Sequence, residues 1–168
     1  GWASNFSHGF AQVAEPGTSR DSSGSYYFID KKGQRVSPLF DEQITFDGPI
    51  AVVSMRNKFG VIDRRFRFVI PARFDHLESF RNGMALARVG SGKKARYGLV
   101  DRRGHWVVPA TWEQLGEFRE GLAVVRKKGR WGYVDRSGRI AIPLAYDRAE
   151  DFSEIGRASC RERVSSPV

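Results

Sequence analysis

The stretch that decides the fold is Gly129–Gly138, GRWGYVDRSG. It opens with a glycine turn, runs through aromatic and β-branched residues, and ends in a second turn from Asp135 to Gly138. Strand-forming residues bounded by glycine turns are typical of a β-hairpin. Residues 122–126 (LAVVR) and 139–142 (RIAI) flank the stretch and also have the composition of strands. The sequence therefore predicts a meander of three antiparallel strands.

This pattern recurs along the chain at nearly constant spacing. The aspartates that open the second turn are Asp30, Asp63, Asp101 and Asp135. A proline follows each of them by eight residues, and an aromatic residue follows the proline. Six residues further on stands a phenylalanine, at Phe46, Phe80, Phe118 and Phe152. Such self-similarity predicts a tandem array. The predicted repeats are residues 6–45, 46–79, 80–117 and 118–151, then a truncated fifth over 152–155 and a non-repeat tail over 156–168.

The predicted fold class is all-β. We expect a tandem array of three-stranded antiparallel β-meander repeats in an open, solenoid-like stack, with closure into a small β-propeller as the alternative. The repeated proline is expected to end each third strand, because it lacks the donor to continue a ladder. The tail is interpreted as disordered or as non-coding read-through. The chain starts at Gly1 rather than Met, so we expect its natural N-terminus to lie upstream, and no compartment is predicted.

The repeated positions have a structural interpretation. Each turn aspartate is expected to accept backbone N–H bonds, while the glycine that closes the turn tolerates positive φ. The glycines after a strand aromatic are expected to let a neighbouring ring or backbone lie close over the strand, although the aromatics could instead stack on a glycan. These glycines are Gly60, Gly98 and Gly132. We expect Phe46, Phe80 and Phe118, together with the connector aromatics, to form the core between repeats.

Composition excludes several classes of protein. A hydrophobic content of 40% is too high for a disordered chain, and a single cysteine excludes a disulfide scaffold or a Cys-rich zinc module. No apolar run is long enough for a transmembrane helix. The histidines His8, His76 and His105 occupy different repeat positions, so no metal site is predicted. With no nucleophile elbow or phosphate loop either, the sequence predicts no enzyme and no cofactor.

Charge points to a class of partner. Lys and Arg number 28 against 19 Asp and Glu, for a net charge of +9. The cations gather at the two turns of each repeat and the acids in the connectors, so stacking predicts basic edges beside an acidic strip. Such an edge attracts an acidic protein, a nucleic acid or an anionic glycan, or else it is a solvated edge that blocks aggregation. The candidate partner-binding residues are Arg64, Arg65, Phe66, Arg67, Arg102, Arg103, Trp106, Lys127, Lys128 and Arg130.

The motif of repeat 4 resembles a known family. Phe118-x-x-Gly121-Leu122-Ala123, followed by Gly129–Gly138 and then Pro143-x-x-Tyr146-Asp147, resembles the bacterial WG-repeat (KWG) family. The resemblance covers four repeats between Phe6 and Phe152, with departures at Tyr26-Tyr27 and at Phe66.

The resemblance implies a bacterial β-repeat protein, often associated with the cell envelope or joined to other domains, without defined catalytic residues. We therefore predict a non-enzymatic binding or scaffolding module for proteins or anionic ligands. The alternative is a targeting or substrate-binding arm of a larger cell-envelope enzyme whose catalytic domain lies outside this sequence.

Overall fold

A computed structural model describes residues 3–15 and 25–149. Strands dominate this part of the chain, and one short 3-10 turn covers Gly92–Lys94. The strands are β1 (Phe10–Ala14), β2 (Tyr26–Asp30), β3 (Ile50–Met55), β4 (Lys58–Asp63), β5 (Phe68–Phe74), β6 (His76–Leu77), β7 (Met84–Val89), β8 (Arg96–Asp101), β9 (Trp106–Trp112), β10 (Gln114–Leu115), β11 (Leu122–Lys127), β12 (Arg130–Asp135) and β13 (Ile140–Tyr146). The predicted fifth repeat over 152–155, the tail over 156–168 and the insertion over 16–24 lie outside the described residues.

The strands form small antiparallel sheets whose order follows the chain. β1 pairs with β2, β3-β4-β5 form a three-stranded sheet, and β10-β11-β12-β13 form a four-stranded sheet. β7, β8 and β9 are successive neighbours in a further sheet. The predicted all-β array is confirmed, and none of these sheets closes into a barrel within the described residues.

The chain folds as two compact units. The N-terminal unit comprises the described residues up to Ala85 together with Arg102–Gly104. The C-terminal unit comprises Leu86–Asp101 and the described residues from His105 to Ala149.

In the C-terminal unit, a connector adds a fourth strand to the meander of the next repeat. Gln114 pairs with Arg126, and Leu115 pairs with Val125. The two-residue strand β10 belongs to predicted repeat 3, whereas β11 to β13 belong to repeat 4. Because one strand comes from the preceding repeat, the sheet cannot form from residues 118–151 alone. Repeats 3 and 4 are therefore joined by main-chain hydrogen bonds.

The expectation that proline ends the third strand is wrong for repeats 2 to 4, because β5, β9 and β13 continue through Pro71, Pro109 and Pro143. Phe59 pairs with Phe74 and Val61 with Ile70. An advance of two residues along β4 is therefore matched by four residues along β5, which makes β5 bulge. Pro71 lies in this bulged segment, where its missing N–H removes no regular ladder bond. Pro109 and Pro143 occupy equivalent bulges in β9 and β13.

The glycine after the strand aromatic lies opposite this bulge. A Cβ on Gly60 would lie 2.7 Å from the carbonyl oxygen of Ile70 and 2.8 Å from the backbone nitrogen of Ala72. A Cβ on Gly98 would meet the backbone of β9 at 2.5 Å, and one on Gly132 would meet β13 at 2.6 Å. These distances exclude any side chain. The repeated glycine is thus required by close backbone approach.

Repeat 1 departs from this arrangement where its sequence does. Tyr27 stands in place of the glycine, and two isolated bridges connect β2 to Arg35 and Phe40 instead of a third strand. The hydroxyl of buried Ser37 accepts the N–H of Phe28 at 2.8 Å, replacing one ladder bond. Without the glycine, the bulged third strand does not form in this repeat.

The core contains the connector aromatics and only part of the following phenylalanines. Buried connector aromatics are Phe40, Phe74 and Trp112. Phe80 is also buried, whereas Phe46 and Phe118 are half-buried. The predicted core position of Phe46 and Phe118 is therefore realised only in part.

Candidate partner-binding surface

The second turns are held by their aspartate carboxylates. Oδ1 of Asp63 accepts the backbone N–H groups of Arg65 at 2.8 Å and Arg67 at 3.0 Å. Asp135 accepts those of Ser137 and Arg139 in the same way. The bonds satisfy turn donors at the surface. The carboxylates therefore face inward onto the backbone of the turn, as expected from the sequence.

This geometry leaves the residue after each aspartate facing solvent. That residue is cationic in all four repeats and exposed in each of them: Lys31, Arg64, Arg102 and Arg136. The next position adds further exposed cations, Lys32, Arg65 and Arg103. Arg67 is also exposed, but it pairs with Asp63 at 2.9 Å. The second turns thus present cations at fixed repeat positions.

Successive second turns pack on the repeat before them. The ring of Phe66 stacks on Phe28 at 4.7 Å between centroids. In the same unit, a Cβ on Gly104 would lie 2.9 Å from Ile70, and Arg73 donates to the carbonyl oxygen of Gly104 at 2.7 Å. Stacking therefore aligns the turns of repeats 1, 2 and 3 within the N-terminal unit. The cations that follow Asp30, Asp63 and Asp101 form the second-turn row.

The first turns, at the opposite ends of the strands, are bonded to connector acids. The carboxylate of Glu113 accepts the backbone N–H of Lys128 at 2.9 Å and of Gly129 at 3.3 Å. Asp41 accepts those of Arg56 at 3.1 Å and Asn57 at 2.8 Å. Each acid directly follows a connector aromatic. Two acids of the acidic strip expected from the sequence, Asp41 and Glu113, therefore cap first turns.

Ion pairs reduce the free charge of the first turns further. Lys58 pairs with Asp75 at 2.6 Å, and Arg130 pairs with Asp147 at 2.7 Å. These pairs have the same sequence spacing of 17 residues. Sequence reasoning placed the acids near the basic turns but missed these contacts, although the fixed acid after each connector aromatic was a usable signal.

The candidate residues therefore fall into separate groups. Arg64, Arg65 and Arg67 share one exposed second turn, and Arg102 and Arg103 lie on the next one. The first turn of repeat 4 carries Lys127, Lys128 and Arg130. Half-buried Lys127 lies 5.3 Å above the Trp112 ring, which holds its ammonium against the protein surface.

The two aromatic candidates differ in position. The expectation that Phe66 belongs to an exposed contact patch is corrected, since it is only 9% exposed and packs on Phe10, Phe28 and Phe46. Trp106 is 37% exposed, and its ring edge lies over Gly98, 2.8 Å from where a Cβ would stand. Trp106 thus combines a packed edge with an exposed one.

The capping bonds lower the pKa of three carboxyls. The backbone N–H of Arg67 is the main cause of the lowered pKa of Asp63, and that of Gly129 is the main cause for Glu113. The Ser137 hydroxyl contributes most to the lowered pKa of Asp135. Donors aimed at a carboxylate favour its ionised form. The turns are therefore built around charged carboxylates.

Other kinds of site find no support in the described part of the chain. Residues 3–15 and 25–149 contain no group of three or more His, Cys, Asp or Glu side chains suited to a metal ion. Nor does any helix among them have the length and apolar character needed to cross a membrane.

Three segments match the family model of the WG containing repeat: residues 59–93, 97–131 and 131–159. Together they cover more than half of the chain. Each match starts at the aromatic residue of a second strand. The repeat that the family model describes therefore begins at the second strand of one meander and extends through the first strand of the next. None of the curated proteins matches the chain in sequence.

Proposed function

The chain belongs to the WG-repeat family, and on that premise we propose that it is a non-enzymatic binding or scaffolding module whose second turns hold an anionic partner. The observation that carries the proposal is the exposed cation after the turn aspartate in every repeat. At the first turns Lys58 pairs with Asp75 and Arg130 pairs with Asp147. At the second turn of repeat 2, Asp63 pairs with Arg67 and not with the exposed Arg64 and Arg65. The second-turn row is therefore the stronger attractor of negative charge.

The partner class is an extended anion, whether an acidic protein, an anionic glycan or a nucleic acid. Cations at repeated positions suit a polymer with regularly spaced charges, because one chain then bridges several turns. The backbone bonds that hold each turn limit the entropy lost on binding. This proposal gives the chain no catalytic step.

A salt series on the full chain tests the proposal. Fluorescence anisotropy is measured with a labelled heparin oligosaccharide, a DNA duplex and polyglutamate. Three phosphate contacts predict a loss of DNA affinity of about 40-fold between about 50 and 200 mM NaCl. Substituting Lys31→Gln and Arg102→Gln together lowers the slope of the logarithmic salt plot by about two.

A matched control distinguishes the second-turn row from net charge. Arg56→Gln with Lys94→Gln removes the same charge from exposed first-turn positions and leaves the slope nearly unchanged. Equal weakening by both double variants contradicts the proposal, as does an absence of binding to all three polyanions at low salt.

A further inference from the structure

A cleft of about 510 Å³ opens in the N-terminal unit. β1 contributes Phe10 and Gln12, β2 contributes Phe28, and the second turn of repeat 2 contributes Arg64 and Phe66. Residues 43–45 of the first connector complete the lining. This volume is within the range of small-molecule sites.

The first connector explains why the cleft is open. Gln43 stands three residues before Phe46, the place that Leu77 and Leu115 take before Phe80 and Phe118. Both leucines are buried and lie in the short strands β6 and β10. Residues 43–45 form no strand. With a polar residue at this position, residues 43–45 lie outside any strand and line one side of the cleft.

The floor of the cleft is aromatic and its rim is polar. The stacked rings of Phe28 and Phe66 lie at its base, and Phe10 meets Phe66 edge-on at 5.1 Å. Among the described residues that line the cleft none is acidic, and Arg64 is the cation. Nε of Arg64 donates to the carbonyl oxygen of Gly48 at 2.9 Å, which holds the guanidinium 5.7 Å from the centre of the Phe46 ring.

Gln12 supplies an independent indication of a ligand. Its side chain lines the cleft, yet Gln12 is only 4% exposed. Its amide Nε2 has no hydrogen-bond partner among the described residues. Buried donors in native proteins nearly always find an acceptor, so an unpaired one requires an explanation. An acceptor atom on a bound molecule would satisfy this amide.

We propose that the cleft binds a small organic carboxylate with an apolar ring. Arg64 binds the carboxylate, since charge-assisted bonds to guanidinium are strong and the lining has no competing acid. The amide of Gln12 donates to an oxygen of the ligand, and the ring covers the phenylalanine floor. The cleft shares Arg64 with the second-turn row, whereas the phenylalanine floor and the Gln12 amide belong to the cleft alone.

Calorimetric titration of the full chain with 3-phenylpropionate, and with its neutral amide as the matched probe, tests the proposal. We expect saturable binding of the acid and at least about tenfold weaker binding of the amide, the ratio that corresponds to one charge-assisted bond. Arg64→Gln removes this preference for the acid. Arg65→Gln, which removes the same charge from the adjacent exposed position, leaves it unchanged.

Gln12→Met tests the donor without changing the charge. We expect weaker binding of the acid together with a raised melting temperature, because the variant removes an unsatisfied buried amide. Three results overturn the proposal: no saturable binding of the acid, equal affinity for acid and amide, or equal effects of Arg64→Gln and Arg65→Gln. A lower melting temperature for Gln12→Met also overturns the role assigned to its amide.

Discussion

Replacing Phe66 by glycine sets two opposing effects against each other. Phe66 has φ of +60°, in the left-handed region that Gly33, Gly104 and Gly138 occupy at the same turn position. A residue with a side chain costs about 1–2 kcal/mol in this conformation, and glycine relieves that strain. The substitution also removes a ring that packs on three phenylalanines. Truncating a core phenylalanine costs about 3–5 kcal/mol.

Packing exceeds strain, so we expect Phe66→Gly to lower the free energy of unfolding by about 2–3 kcal/mol. Phe66→Ala loses the ring and keeps the strain, so it is expected to be about 1 kcal/mol less stable than Phe66→Gly. Urea denaturation of the full chain, followed by circular dichroism and aromatic fluorescence, measures both differences.

A control at another repeat isolates the backbone cost. Gly33 has φ of +77° and no atom within 4 Å of the place where a Cβ would stand. Gly33→Ala is therefore expected to cost about 1 kcal/mol through conformation alone. If Phe66→Gly is as stable as the original chain, the ring does not contribute to the core. If Phe66→Ala is more stable than Phe66→Gly, the strain argument is wrong.

Two further predictions concern the glycine opposite the bulge and the charged turns. Gly132→Ala places a Cβ 2.6 Å from the carbonyl oxygen of Ile142. We expect this variant to lower the free energy of unfolding, measured by denaturant titration, by about 2–3 kcal/mol. Gly129→Ala is expected to lower it by about 1 kcal/mol. Equal losses for the two variants contradict the close-approach argument. Acid is expected to destabilise the fold, because the folded pKa values of Asp63, Glu113 and Asp135 lie below their ordinary values of 3.8 for Asp and 4.5 for Glu. Their contribution is complete above those ordinary values and is lost as pH falls through the lowered ones. Unfolding curves between about pH 6 and 2 are expected to show a smaller decline for Asp135→Asn, and stability that rises on acidification refutes the assignment.

Features that depend on neighbouring residues were predictable from the sequence. The second turn needs an aspartate, backbone N–H groups that bond to its carboxylate and a residue at positive φ, all within five residues. Asp135 and Gly138 were therefore enough to predict it. The spacing of these turns then predicted the repeats and the all-β class. The same local logic placed the second-turn cations at the surface.

Features that depend on contacts between distant segments were not predictable from the sequence. Phe66 occupies a turn and was expected at the surface, but its partner Phe28 lies 38 residues earlier in the sequence and becomes a neighbour only when the repeats stack. Pro71 was expected to end a strand, yet the space opposite Gly60 accommodates it as a bulge. The unpaired amide of Gln12 likewise follows from what packs around it. Local bonding selects turns and strands within a few residues, whereas burial and register depend on which distant surfaces meet.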